Sequence, residues 1–238
     1  MIDRIIRPPA TCAEAFDDAG QPPLYPEEWR IVERSVSKRQ LEFTTGRACA
    51  RRALGQLGIP AAPLLTGEGG APAWPCGTVG SITHCRGYRA AVAARRRDVR
   101  AVGIDAEPNE PTPGRILEAI ALPQEQRMVL VLKEFRPAVC WDRLLFCAKE
   151  AVFKAVFSST GRRLGFDEAA VTFDPVHEAF SVTGTPAGAI ARTFDGLARP
   201  ATISGSWLLG GGTLVAALVV LEQDHLGQGP VLSDTYQN

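Results

Sequence analysis

Trp141-Asp142-Arg143-Leu144-Leu145-Phe146-Cys147-Ala148-Lys149-Glu150-Ala151-Val152-Phe153-Lys154-Ala155-Val156-Phe157 decides how the rest of this chain is read. Wound at about 100° per residue, it sets Trp141, Leu144, Leu145, Ala148, Ala151, Val152, Ala155 and Val156 on one arc, wide enough to face a core. The spacing predicts a buried helix that begins near Ala138. The opposite arc carries Asp142, Arg143, Lys149, Glu150 and Lys154, together with Phe146, Cys147 and Phe153. A solvated face seldom presents those last three together, so a second surface is expected to pack there. Only four of the 26 basic residues are lysines, and two of these, Lys149 and Lys154, bracket Glu150. Ammonium groups beside a carboxylate are the raw material of a site.

Upstream, Ala101-Val102-Gly103-Ile104-Asp105-Ala106-Glu107-Pro108 alternates as a strand does. Val102, Ile104 and Ala106 share one face and Asp105 and Glu107 the other. Two carboxylates about 7 Å apart along a strand can converge on one cation, or they can be two acids on a solvent face. Oxygen ligands that leave room for phosphates and water suit Mg²⁺. Two further strand-like runs, Val79 to Thr83 and Tyr88 to Ala94, precede this one, and the three predict an antiparallel meander. His84 closes the first run, either as a structural residue or aimed at the same place as the two acids. Arg95-Arg96-Arg97 reads as a solvated turn.

Earlier still, Ser37-Lys38-Arg39-Gln40 has capping-box spacing and Gly58-Ile59-Pro60 a stop, so a helix of about five turns is expected between them. Thr44, Arg47 and Arg51 lie on one stripe of it, as exposed surface arginines or as guanidinium donors for phosphate. Residues 1–35, punctuated by Pro22-Pro23 and Pro26, read as irregular. The glycine-rich stretch Gly67-Glu68-Gly69-Gly70 matches no nucleotide-binding fingerprint, which excludes a P-loop. Downstream of Phe157, strands are expected at 170–173, 180–183, 202–209 and 213–221, with Gly210-Gly211-Gly212 as a hairpin turn.

The bulk properties narrow the class. With 238 residues, 45% of them hydrophobic, the chain can bury a full core. A formal net charge of zero argues against general attraction to nucleic acid or a membrane surface. Six cysteines without a CxxC pair suggest reduced thiols in a cytoplasmic protein, and three histidines without metal spacing argue against a structural zinc. The charged N-terminus does not read as a signal peptide, and no apolar run approaches the roughly 20 residues of a membrane span.

Together, Gly103-Ile104-Asp105-Ala106-Glu107 and, about forty residues later, Phe146-Cys147-Ala148-Lys149-Glu150-Ala151-Val152-Phe153-Lys154 resemble the paired signature of the 4′-phosphopantetheinyl transferases. Gly80-Ser81-Ile82-Thr83-His84-Cys85 and the helix from Gly46-Arg47 to Leu54 resemble the branch serving siderophore, polyketide and nonribosomal-peptide synthases, actinobacterial members among them. The resemblance implies an α/β (α+β) fold of two pseudo-symmetric halves, each an antiparallel sheet on a long helix, with coenzyme A in the cleft between them. The halves would be 1–108 and 109–225, with 226–238 a frayed tail. It further implies that Asp105, Glu107 and Glu150 hold Mg²⁺ with the coenzyme A pyrophosphate. Lys154 would bind the pyrophosphate with Lys149 assisting, and Arg47, Arg51, Thr83 and His84 would meet phosphates of the nucleotide end. Glu150 and Lys154 are the expected catalytic pair, with Glu150 as general base. In the loop 67–72, Gly69 and Ala71 stand where relatives often carry a charged residue.

The expected reaction transfers 4′-phosphopantetheine from coenzyme A to a serine of an apo acyl, peptidyl or aryl carrier domain and releases 3′,5′-ADP. The chain is expected to act as a monomer. Phe153, Arg162-Arg163 and parts of 112–140 are the expected docking contacts. The rival readings are a Mg²⁺-dependent hydrolase of a pyrophosphate-containing nucleotide and a non-catalytic coenzyme-A-binding module.

Overall fold

The structure is a computed structural model that describes residues 1–184 and 203–222. The tail expected at 226–238 lies outside the described residues. Among those described, two antiparallel sheets pack against helices. The first sheet has three strands in the order β1-β3-β2, from β1 (Thr11–Ala15), β2 (Thr78–Cys85) and β3 (Tyr88–Arg95). The second has five, in the order β4-β8-β7-β6-β5, from β4 (Val99–Pro108), β5 (Ala169–Asp174), β6 (Ala179–Gly184), β7 (Ile203–Gly210) and β8 (Thr213–Leu221). The helices are α1 (Pro26–Val32), α2 (Ser37–Gln56), α3 (Ile116–Ile120), α4 (Pro123–Phe135) and α5 (Trp141–Thr160).

The alternation within each strand sets the order of layers. On β3, Ala91 and Ala93 pack with Cys49, Ala50 and Ala53 of α2, while Ala90, Val92 and Ala94 join Val102, Ile104 and Ala106 of β4 and Val215 and Ala217 of β8. On the far face of the second sheet, Trp207, Ala216 and Leu218 meet the apolar arc of α5. The layers therefore run α2, first sheet, second sheet, α5. Every member of the arc read from Trp141 to Val156 is buried.

Three expectations change. The meander of β2, β3 and β4 does not form, because β4 leaves its neighbours and pairs with β8, Asp105 opposite Ala216 and Glu107 opposite Leu214. Residues 1–35 contain β1, paired along β3, and α1, whose first residue is Pro26, where a missing N–H removes no helical bond. The capping box at Ser37 is absent: Val36 is the N-cap and Gln40 instead donates to the carbonyls of Val32 and Glu33. The Gly211-Gly212 turn joins β7 to β8, with φ of +57° and +75° as a two-residue hairpin loop requires.

Gly103 fixes how α5 meets β4. A Cβ there would fall 1.9 Å from the carbonyl oxygen of Ala151 and 2.6 Å from the nitrogen of Ala155, so backbone lies against backbone. That close crossing brings the first turns of α5 alongside Glu107, and Lys154 alongside Asp105.

Candidate active site

β4 is an edge strand of its sheet, and its outward backbone groups are met by side chains instead of a neighbouring ladder. Ser81 Oγ accepts from the N–H of Ile104 at 3.1 Å, and Thr83 Oγ1 accepts from that of Ala106 at 3.0 Å. Lys154 Nζ donates to the Ile104 carbonyl at 3.1 Å. The same seam carries the acids. Asp105 is 7% exposed; its Oδ1 accepts from Lys154 Nζ at 2.6 Å and from Thr83 Oγ1 at 3.1 Å, while its Oδ2 is buried without a partner among the described residues. Burial works against the charge of Lys154, but Asp105 and then Glu150 outweigh it and raise its pKa.

Glu107 stands two residues on and accepts from Arg143 Nη1 at 3.2 Å. Burial, then the charge of Asp105, pushes its carboxyl above the ordinary range, with Arg143 opposing. Glu150 is half-buried, and burial followed by Asp105 raises its pKa too, with Lys154 opposing. The charge of Asp105 thus bears on both glutamates. Among the described residues no group of three Asp, Glu, His or Cys side chains stands together as a ready-made cation cage. The donor set is nevertheless all oxygen, and the orphaned Oδ2 of Asp105 is an acceptor that the protein itself leaves unmet. Those features fit a hard cation such as Mg²⁺, which takes one or two carboxylates and completes its shell with phosphate and water.

Lys154 opens onto a cleft of about 480 Å³ whose walls are the loop Gly69 to Pro72, Trp74, Gly80 to Ile82 of β2, and Phe153, Phe157, Ser158 and Arg163. Lys149, Glu150 and Phe153 line a second cavity of about 120 Å³ with Leu164 and Phe166. Phe153 and Phe157, stacked at 5.9 Å, form an apolar stretch of the larger wall. Gly69 has φ +63°, which glycine adopts without strain, and a Cβ on it would lie 2.6 Å from the tip of the Phe157 ring.

The other expected residues are disposed differently. Lys149 is 3% exposed and turned away from the seam; it pairs with Glu125 of α4 at 2.8 Å and donates to the carbonyls of Phe166 and Ala169. Burial lowers its pKa, with Glu125 opposing. One residue from Glu150 is about 100° around a helix; Lys149 lines the 120 Å³ cavity with Glu150 while its ammonium is engaged by Glu125.

Arg47 is buried, donates Nε–H to the Leu64 carbonyl at 2.7 Å and stacks on Phe43 at 4.2 Å. Burial pulls its pKa down to about 10 despite the attraction of Glu28. Arg51 donates from Nη1 to both oxygens of the fully buried Glu28. The guanidinium stripe expected to meet phosphate is therefore engaged inside the N-terminal half. Thr83 is engaged with Asp105 and Ala106 and is 2% exposed, so its hydroxyl too is held within the protein.

His84 Nε2 lies 2.9 Å from Arg39 Nη1 and its Nδ1 3.5 Å from Glu42. A guanidinium only donates, so Nε2 accepts and Nδ1 carries the proton. Burial lowers the pKa of the ring, with Glu42 opposing. Of the expected docking contacts, Arg162 pairs with Glu168 at 3.2 Å, Arg163 reaches the cleft and Phe153 belongs to its wall. Sequence reasoning missed Arg143, Ser81 and Gly103. Arg143 precedes Glu150 by seven residues and so shares its stripe, a signal that the sequence did contain.

The chain is 46% identical to the 4′-phosphopantetheinyl transferase Svp of Streptomyces mobaraensis over 225 residues, covering 92% of this chain and 89% of that protein. It belongs to the 4′-phosphopantetheinyl transferase superfamily. This phosphopantetheinyl transferase is also 46% identical over 211 residues to PptT of Mycobacterium tuberculosis, covering 87% and 91% of the two chains. It is 32% identical over 202 residues to enterobactin synthase component D of Salmonella typhi, covering 82% and 80%. The 4′-phosphopantetheinyl transferase N-terminal domain model matches residues 27–94 and the superfamily model residues 101–210. The gap between them falls where this transferase passes from the first sheet to the second. As a member of the superfamily, the chain is an enzyme that transfers a phosphopantetheine group to carrier proteins.

Proposed function

We propose that this phosphopantetheinyl transferase takes its group from coenzyme A, with the pyrophosphate bound by Lys154 in the cleft and by a Mg²⁺ that Asp105, Glu107 and Glu150 would hold. The observation that carries this reading is Lys154, which lines the 480 Å³ cleft and donates to the buried carboxylate of Asp105 at 2.6 Å. An ammonium at the mouth of a cleft supplies a cation for diphosphate oxygens, and the apolar wall of Phe153 and Phe157 keeps the local dielectric low, which strengthens that attraction.

Asp105, Glu107 and Glu150 would hold Mg²⁺, which when bound supplies neutralisation of the diphosphate charge. Glu150 makes no side-chain hydrogen bond or ion pair among the described residues, and burial, then the charge of Asp105, raises its pKa, which makes it a stronger base than an ordinary glutamate. In the proposed step the hydroxyl oxygen of a carrier serine bonds to the β-phosphorus and its proton passes to Glu150. The bond from phosphorus to the bridging oxygen breaks, and that oxygen leaves with 3′,5′-ADP. Lys154, beside the reacting charge, stabilises the leaving 5′-phosphate oxygen of 3′,5′-ADP. Arg163 on the rim is the cationic side chain placed to meet the acidic side of a carrier or the far end of coenzyme A.

Incubating an apo-carrier protein with the enzyme, coenzyme A and Mg²⁺ and weighing it by mass spectrometry tests the reading. The expected product is the carrier plus one phosphopantetheine, with 3′,5′-ADP in equal amount. Free phosphopantetheine with an unchanged carrier would instead make the enzyme a hydrolase.

A further inference from the structure

The ammonium of Lys154 sits on the carboxylate assigned to the metal. It donates to Asp105 Oδ1 at 2.6 Å and to the Ile104 carbonyl at 3.1 Å, so it is held by strand and side chain together. Asp105 in turn is pinned by the Thr83 hydroxyl and can turn only its orphaned Oδ2 elsewhere. The surrounding charges are uneven. Among the described residues, the acids Asp105, Glu107 and Glu150 share the cations Lys154 and Arg143. A divalent ion entering this seam relieves the excess acid but meets a fixed ammonium on its principal ligand, and like charges sharing one carboxylate repel strongly in a half-buried site. A diphosphate in the cleft offers Lys154, which lines that cleft, another anion to contact.

We infer that Lys154 is a resident counter-cation for Asp105, competing with the divalent ion in the free enzyme and yielding when a diphosphate enters the cleft. This rests on the assignment of Asp105 as a metal ligand made above. Lys154 then has two successive partners, the carboxylate first and the substrate diphosphate second. The exchange couples the two bindings, so that coenzyme A strengthens divalent-ion binding through relief of repulsion as well as through its own oxygens. By reciprocity the ion strengthens coenzyme A binding by the same factor.

Mn²⁺ binding followed by loss of the free-ion electron paramagnetic resonance signal tests this in the wild type, Lys154→Gln and Lys154→Arg, without and with coenzyme A and without any carrier protein. Lys154→Gln is expected to bind Mn²⁺ alone about tenfold more tightly than the wild type, and Lys154→Arg, which keeps the charge, to remain near the wild type. The gain in Mn²⁺ affinity on adding coenzyme A should shrink in Lys154→Gln. Equal Mn²⁺ affinity in all three proteins, or tight binding by Lys154→Arg as well, overturns the counter-cation. No Mn²⁺ binding by any of them even with coenzyme A overturns the metal assignment, and the counter-cation with it. Circular dichroism of each variant separates these outcomes from misfolding, and Lys154→Arg supplies the folded control if Lys154→Gln does not fold.

Discussion

Gly103 on β4 and Ala151 on α5 touch through their backbones, leaving no space for a single methyl group between strand and helix. The acids of β4 and the charged stripe of α5 share one seam because of this crossing. Gly103→Ala is expected to push the helix off the strand, at a cost typical of overpacking, about 1–3 kcal/mol. For a chain of this size that corresponds to a fall in melting temperature of roughly 2–12 °C. Transfer activity should drop more than stability does, since Lys154 and Asp105 separate; an unchanged melting curve with full activity would contradict the crossing.

Glu150→Gln should leave the fold intact and lower the rate of transfer by about 10²-fold or more, the usual contribution of a general base. It also has a consequence for stability whose sign follows from the raised pKa of this carboxyl. The folded protein holds the proton more firmly than the unfolded chain, so ionising Glu150 destabilises the fold as pH climbs from the ordinary glutamate range to the raised folded value. In metal-free buffer near neutral pH, Glu150→Gln should therefore melt above the wild type, and the gap should close below the ordinary glutamate range. A variant that melts lower at neutral pH would oppose the burial argument.

Mg²⁺ affinity is expected to depend on pH through the same groups. Glu107 and Glu150 both keep their protons to higher pH than free glutamate because of burial and Asp105. A cation needs them ionised, so affinity should rise with pH across that window and level off above it, with protons released on binding. Isothermal titration in buffers of different ionisation enthalpy counts those protons; zero release at the acidic end of the window would contradict the ligand assignment.

Lys149 and Glu125 form a buried pair, and removing one member of such a pair costs about 3–5 kcal/mol. Lys149→Met should be strongly destabilised while the folded fraction keeps a wild-type KM for coenzyme A. A raised KM with unchanged stability would return Lys149 to the diphosphate.

The helix α5 was legible because its period is local: every third or fourth residue from Trp141 to Val156 is apolar and the apolar set became the core. The pairing of Asp105 and Glu107 on one face was legible for the same reason, since alternation along a strand needs no partner. What no local pattern carries is the partner itself. β4 pairs with β8, more than a hundred residues away, in preference to its neighbour β3, and this choice rests on which apolar faces the two sheets can bury together. The two lysines of α5 look alike in sequence, yet Glu125 claims one and Asp105 the other. Arg47 and Arg51 look like surface cations until Leu64 and Glu28 close over them. In each case the long-range neighbour decides between solvent, core and substrate.

The hydroxyls of Ser81 and Thr83 and the ammonium of Lys154 also settle what happens at the rim of a sheet. An exposed rim strand is a template on which a foreign chain can add itself. Here the Ile104 N–H, the Ile104 carbonyl and the Ala106 N–H are all occupied from within. With Ile104 and Ala106 also buried, the border of the sheet beside the site offers no open template to another chain.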